Sequence, residues 1–395
     1  MTNGSRMQVT YPSIANQALV PIAKPSTDSV LALRQKGSSN VIPKAISDLT
    51  AVPYRATEVD DKLPFLKQYG GSSLAYSSLQ AGLDYYLLPN NGYIAYSLIG
   101  NAVPLCLADP ICSITNTQEL LKNFLTSYKQ PMFFHVSKNV ARILSQIGFS
   151  INEVGTETII DLQRFNLKGT KKEFLRHQVN LGKREGLVIK EQSYSKIGKN
   201  ILETISEKWL QKKVVYSHEL SFIVRPVVYK DEMDVRKFVA YKDDCAIAFC
   251  IFDPIYRNGQ IIGYLVNHLR NSGTSHYSMQ DCITLEAMRI FKEEGKEILS
   301  LGFSPFHKVN DSGEFRHSRL LTRIFQFAYA HANYVFEFKA LAFHKNRYRP
   351  GLEGCEESKV YCAYQDPMRF DLLISIFKLM GIDIIEQTIS RLIGR

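Results

Sequence analysis

No stretch of the sequence approaches the ~20 uninterrupted apolar residues that a membrane-spanning helix needs. Its most apolar segment, "FDLLISIFKLMGIDIIEQTISRLIG", is interrupted by Asp371, Lys378, Asp383 and Glu386. There is no C-x-x-C pair and no His/Cys spacing that would close a tetrahedral metal site. The 7 cysteines (Cys106, Cys112, Cys245, Cys250, Cys282, Cys355, Cys362) are odd in number and scattered, so reduced thiols in a cytosolic compartment are expected. The G-x-S-x-G elbow of a nucleophilic serine and the G-x-x-x-x-G-K-[ST] phosphate loop are both absent. No apolar h-region with a cleavage site opens the chain, and no secretory signal is expected. Acidic residues are scarce at the start: Arg6, Lys24, Arg34, Lys36 and Lys44 face Asp28 alone in a region rich in Ser, Pro and Asn. Residues 1–62 read as a basic tail, with an organelle transit peptide as the other reading.

What is present is a folded chain of 395 residues, 45% hydrophobic and 22% charged, with room for two or three domains at ~150 residues each. Lysine and arginine total 48 against 38 acids, a formal charge of +10, which points to anionic partners: nucleic acid, an anionic membrane or a phosphorylated ligand.

From Leu63 the sequence becomes periodic. "GLDYYLLP", "GYIAYSLIG" and "AVPLCLADPI" predict strands in a meander. "NTQELLKNFLTSYKQ" predicts a helix, "PMFFHVS" a strand, "KNVARILSQIG" a helix and "TETIIDL" a strand. A second set begins at Asn166, with helices in "TKKEFLRHQVNLGKREG" and "IGKNILETISEKWLQKK". Strands follow in "RKFVAYKDD", "CAIAFCIFDPI" and "QIIGYLVNHLR", then a helix in "SMQDCITLEAMRIFKEEG" and a strand in "KEILSLGFS". Tyr93–Ile111 and Phe238–Ile255 share an aromatic-aliphatic-Ala-Tyr start, a cysteine and a closing Asp-Pro-Ile, which suggests a duplicated α/β unit. Gly-Phe-Ser also occurs twice. Gly148 follows the last periodic residue of a helix, where glycine takes the left-handed conformation, whereas Gly302 closes a strand and permits close approach.

Candidate chemistry lies in three places. Lys172, Arg176, Asn180 and Arg184 recur at i,i+4 and form a polar stripe suited either to phosphates or simply to solvent. Asp281 lies three residues after Ser278 at a helix start, where free amides and the dipole account for an acid without further function. "FKALAFHKNRYRPG" sets His344, Lys345, Arg347 and Arg349 beside aromatic residues, a cluster of the kind that clamps phosphates. The R-x-x-G-x-G/A pyrophosphate loop of acyl-CoA transferases is missing.

The ordered pieces "YGGSSLAY", "LADPI", "FFHVS", "IGFS", "TIIDL", "LRHQVNLGKREG", "ISEKWL", "MQDCITLEAMRIFKEEGKEILSLGFSP" and "FHKNRYRP" resemble the soluble catalytic domain of phosphatidylglycerol lysyltransferases, the multiple-peptide-resistance-factor family, from about Tyr69 to Pro350. The resemblance implies an α/β (α+β) fold of two tandem GNAT-like acyltransferase domains, each a mixed sheet flanked by helices: 63–165, then 166–365 carrying the catalytic cleft, with 366–395 left as a C-terminal amphipathic helix. It implies transfer of an amino acid from aminoacyl-tRNA, as co-substrate, to the hydroxyl of a lipid such as phosphatidylglycerol. An activated ester needs neither ATP nor a metal, so no cofactor is expected. Catalytic roles are implied for Asp281, Arg270 and Lys345, and substrate binding for Arg176, Asn180, Arg184, Gly302, Ser304 and Arg347. The family's membrane-spanning flippase region has no counterpart here, so a cytoplasmic or peripheral protein is expected. Phe370, Leu373, Ile374, Phe377 and Met380, with Lys378, Arg391 and Arg395, would meet anionic lipid or else dock on the core. Two positions depart from the family pattern: Pro305-Phe306 replaces its Pro-Leu, and Gly351-Leu352 replaces the aromatic residue expected after the clamp proline. An acyl-CoA-dependent acyltransferase acting on a small amine and a non-catalytic RNA- or membrane-binding homologue are the alternatives.

Overall fold

The computed structural model describes residues 61–99, 103–198, 200–212, 219–273, 275, 277–310, 312–365 and 370–382. The first set of elements holds α1 (Leu63–Tyr69), β1 (Asp84–Leu88), β2 (Gly92–Ile99), β3 (Val103–Leu107), β4 (Ile111–Cys112), α2 (Thr117–Ser127), β5 (Met132–Val136), α3 (Lys138–Gln146) and β6 (Ser150–Asp161). The second holds α4 (Glu173–Arg184), β7 (Val188–Glu191), α5 (Ile201–Gln211), β8 (Arg236–Lys242), β9 (Cys245–Arg257), β10 (Gln260–Asn271), α6 (Met279–Glu293), β11 (Ile298–Pro305), α7 (Arg319–His331), α8 (Phe338–Asn346), β12 (Cys355–Tyr364) and α9 (Phe370–Leu379). Residues 1–60 of the basic tail lie outside the described residues, and Lys62 is buried at the start of α1.

Local chemistry sets several of these boundaries. Ser137 caps α3 by accepting a hydrogen bond from Val140 N. The helix ends where Gly148 takes φ +95° and Phe149 N reaches back to Leu144 O while Gly148 N reaches Ser145 O, a Schellman closure that only a left-handed residue permits. The first Gly-Phe-Ser is therefore a helix stop followed by the start of β6. Ser278 caps α6 in the same way, its hydroxyl accepting from Asp281 N at 3.3 Å.

The strands form one sheet in the order β1-β2-β3-β5-β12-β6-β11-β10-β9-β8-β7, with β4 paired to β2 off this path. β3 pairs parallel with β5 across α2, and β10 pairs parallel with β11 across α6. These two crossovers occupy equivalent places in the two sets of elements, on either side of one large mixed sheet flanked by helices. They make β10 the counterpart of β3, so the Asp-Pro-Ile match between Tyr93–Ile111 and Phe238–Ile255 is one strand out of step. Asp253-Pro254-Ile255 lies inside β9, whereas Asp109 and Pro110 sit in the turn after β3. The centre of the sheet is interlocked: β12 lies between β5 and β6, and β6 between β12 and β11. The last strand of each set thus completes the sheet of the other.

The helices cover both parts through aromatic packing. Phe291 of α6 meets Phe238, Phe252 and Tyr264 of the second set, and Phe124 of α2 meets Tyr86, Tyr96 and Phe133 of the first. Each such ring contributes about 2–3 kcal/mol of apolar burial. α9 follows the docking alternative, since Ile376 and Met380 are buried and Leu373 and Phe377 pack against the same core, while Ile374 stays exposed. Arg391 and Arg395 lie outside the described residues. Among the described residues no helix is long and apolar enough to cross a membrane.

Candidate active site

β10 and β11 hydrogen-bond only from Gly263–Leu265 to Ile298–Ser300. Beyond that they part, because β11 carries a bulge between Ser300 and Gly302 and continues along β6, while β10 continues along β9 to Asn271. The inner edge of β10 beyond Leu265 has no strand partner among the described residues. A cavity of about 420 Å³ fills this opening. Its walls include Leu265, Val266 and Asn267 of β10, Leu301, Gly302 and Phe303 of β11, and apolar side chains of α7, α8 and α9. Size and lining fit a site for a largely apolar ligand oriented by few polar groups.

Gly302 has φ +81°, and a Cβ there would lie 3.3 Å from Leu265 Cδ1 and 3.9 Å from the Nζ of Lys345. Lys345, on α8, is the cationic side chain lining this wall. It is buried and donates to the carbonyl oxygen of Phe303 at 2.5 Å. No ion pair of Lys345 occurs among the described residues. Burial holds its pKa down to about 7, against the opposing fields of Glu157 and Glu357. Glu157, on β6, accepts a hydrogen bond from Ser300 Oγ at 2.6 Å, and Ser300 Oγ also accepts from Gly302 N at 2.9 Å. His135 has φ +67°, is buried against the ring of Phe303 and has an unpartnered Nε2; desolvation lowers its pKa. Asn267 is fixed by Asp253 at 2.7 Å, and Asp253 is itself bound by Arg225. Sequence reasoning missed Glu157, His135, Ser300 and Asn267. An acid in mid-strand within "TETIIDL" was the one signal available for Glu157.

The remaining expected residues are distributed around this site. Asp281 is fully buried and faces α8, not the cavity lining: one oxygen accepts from Arg347 at 2.9 Å and the other from Tyr348 at 3.0 Å, with His344 at 3.7 Å. The Arg347 guanidinium also lies over the rings of Phe174, at 4.7 Å, and Phe343, at 5.2 Å. Asp281 and Arg347 thus lock the helix that carries Lys345. Arg270 lies farther along β10, in a two-pronged pair with Glu219 and over the Trp209 ring, outside the cavity lining. Ser304 is buried in β11. Asn180 and Arg184 are exposed on α4, but Arg176 donates to the carbonyls of Leu167 and Gly169. Lys172 leaves the stripe altogether, because it is buried in a 3₁₀ turn before α4 and bonded to Asn166 O over the Phe165 ring. Its four-carbon stem makes that burial possible. Among the described residues no cluster of His, Cys, Asp and Glu could hold a metal ion.

A family model described as phosphatidylglycerol lysyltransferase, C-terminal matches residues 64–364. Among curated proteins, phosphatidylglycerol lysyltransferase of Staphylococcus epidermidis is 25% identical over 73% of this chain, and that of Bacillus subtilis (strain 168) is 24% identical over 76%. The chain spans about a third of the length of these relatives, 34% in both cases. Among solved structures, L-PGS from Bacillus licheniformis aligns at TM-score 0.66 and 19% identity, covering 82% of this chain and 98% of that one. The C-terminal domain of a putative lysylphosphatidylglycerol synthetase from Agrobacterium fabrum aligns at 0.65 and 20%, covering 82% and 97%. These two likenesses establish the fold.

Proposed function

The chain belongs to the phosphatidylglycerol lysyltransferase C-terminal family, and from that premise we propose that it moves an amino acid from aminoacyl-tRNA to the free glycerol hydroxyl of phosphatidylglycerol, with the 166–365 unit catalytic. The observation that carries this reading is the Nζ of Lys345, without a carboxylate partner beside Gly302 in the wall of an apolar cavity. The cavity suits acyl chains. Its one lining cation among the described residues, poised near neutrality at about 7, suits proton transfer at a lipid headgroup.

In this reaction the glycerol oxygen bonds to the ester carbonyl carbon, and the bond from that carbon to the ribose oxygen of the tRNA breaks. Neutral Lys345 accepts the hydroxyl proton and returns it to the departing ribose oxygen. Amides on the inner edge of β10 beyond Leu265, which has no strand partner among the described residues, would stabilise charge developing on the carbonyl oxygen. Asp281 and Arg347 act as positioning residues through α8, and Arg270 braces β10 against Glu219. Exposed cations of α4, Lys183 and Arg184, support a role in holding tRNA phosphates. The protein would work at the inner face of a membrane.

The test is incubation of purified protein with tRNAs charged with labelled amino acids, and with phosphatidylglycerol vesicles. Label entering the lipid fraction, and abolished by ribonuclease pretreatment, is the expected result. Its absence with every amino acid would overturn the reading.

A further inference from the structure

The cavity opens beside a helix face that the core leaves unused. On α7, Leu320, Ile324 and Phe327 recur at helical spacing and are 58%, 37% and 66% exposed, while Leu321 and Phe325 on the other side are buried. Ile374 of α9 is 44% exposed. Single exposed apolar residues are ordinary. Here, however, Ile324 and Ile374 belong both to the solvent-facing surface and to the cavity wall, so the ridge and the cavity are continuous. Charge has one sign along this helix: α7 carries Arg319 and Arg323 and no Asp or Glu. Lys378 is exposed on α9. Apolar side chains interspersed with cations on one helix face suit the boundary between headgroups and acyl chains of an anionic bilayer.

We infer that the Leu320–Ile324–Phe327 face of α7 is the surface by which the protein docks on an anionic phospholipid bilayer. Leu320 and Phe327 enter the acyl boundary, and Arg323 meets lipid phosphates. The cavity mouth is thereby set against the hydrocarbon, so a lipid reaches Lys345 without crossing water. This inference rests on reading the cavity as the lipid site. A protein partner fits less well, since a partner seated on the ridge would cover the entrance that a lipid must use.

The experiment compares the full chain with its L320Q/F327Q variant; both side chains lie outside the cavity lining. Sedimentation with vesicles of equal parts phosphatidylglycerol and phosphatidylcholine should show binding weakened by about tenfold or more, with unchanged thermal unfolding. A separate F327W variant should shift its emission to the blue on adding the same vesicles. Equal vesicle binding by wild type and double variant, or no blue shift, would overturn the inference. So would a wild-type dimer that the double substitution dissolves without changing vesicle binding, because the ridge would then be a contact between copies. Transfer to monomeric dihexanoyl-phosphatidylglycerol, below its micelle threshold, reads the active site alone and should be equal in both proteins. If that transfer is absent in both while vesicle binding still depends on Leu320 and Phe327, the docking face stands and the aminoacyl-transfer reading falls.

Discussion

The Nζ of Lys345 donates to the carbonyl oxygen of Phe303 at 2.5 Å, bringing α8 onto the strand whose bulge opens the sheet. This contact places a buried amine where β10 and β11 part.

If Lys345 takes the proton in its neutral form, transfer rises with pH through a midpoint near 7 and then levels off. Lys345→Met should lower kcat by about 100-fold or more, the ordinary share of a general base. A full pH–rate profile of both proteins checks this, and a midpoint unmoved in the residual activity of the variant would assign the titration elsewhere.

The same amine leaves a mark on stability. Its pKa is about 7 when folded, against about 10.4 in an unfolded chain. Between those values the unfolded state binds the extra proton, so stability rises with pH across that window and is flat below it with respect to this group. Urea unfolding at pH 6, 7, 8 and 9 should show the wild type gaining on Lys345→Met only above neutrality.

Breaking the Asp281 lock should disturb the active site from outside it. Asp281→Asn leaves the partners Arg347 and Tyr348 poorly satisfied, costing about 3 kcal/mol in urea unfolding. Together with Arg347→Met it should give a coupling energy above about 1 kcal/mol in a double-mutant cycle. Additive effects would show that the pair does not act as a unit.

The two Gly-Phe-Ser copies separate cleanly by substitution. Gly148→Ala and Gly302→Ala each force alanine into the left-handed region, costing about 1 kcal/mol of stability. Only Gly302→Ala also crowds Leu265 and approaches Lys345, so it alone should lower turnover. Chemical unfolding paired with initial rates distinguishes the two.

On α4 the cations should divide into two kinds. Arg184→Ala should weaken tRNA binding and reduce its salt dependence by about one unit of log–log slope at most. Arg176→Ala should chiefly lower the unfolding temperature, because its guanidinium holds the loop carbonyls of Leu167 and Gly169. Filter binding at two salt concentrations, with a thermal scan, checks both.

The sequence by itself determined the element types wherever apolar period and turn chemistry agreed. Strands β1 to β3, β5 and β8 to β11 and helices α2 to α6 stand where alternation or i,i+4 spacing predicts them, and Ser278 and Gly148 mark a helix start and stop through hydrogen bonds within a few residues. Gly302, Lys345 and the Asp281 helix start were legible as the positions to watch. Segments such as β12, with charge at Glu356, Glu357 and Lys359, carried no clear period; burial between β5 and β6 decides that strand. Only the tertiary structure could interlock the last strands of the two sets, because strand pairing is made by partners far apart in the chain. For the same reason it alone took Lys172 off the polar stripe, turned Asp281 toward Arg347 and Tyr348, and brought Glu157 and His135 beside Lys345. Charge type is written in the sequence, but desolvation and the direction of a side chain are properties of what surrounds it.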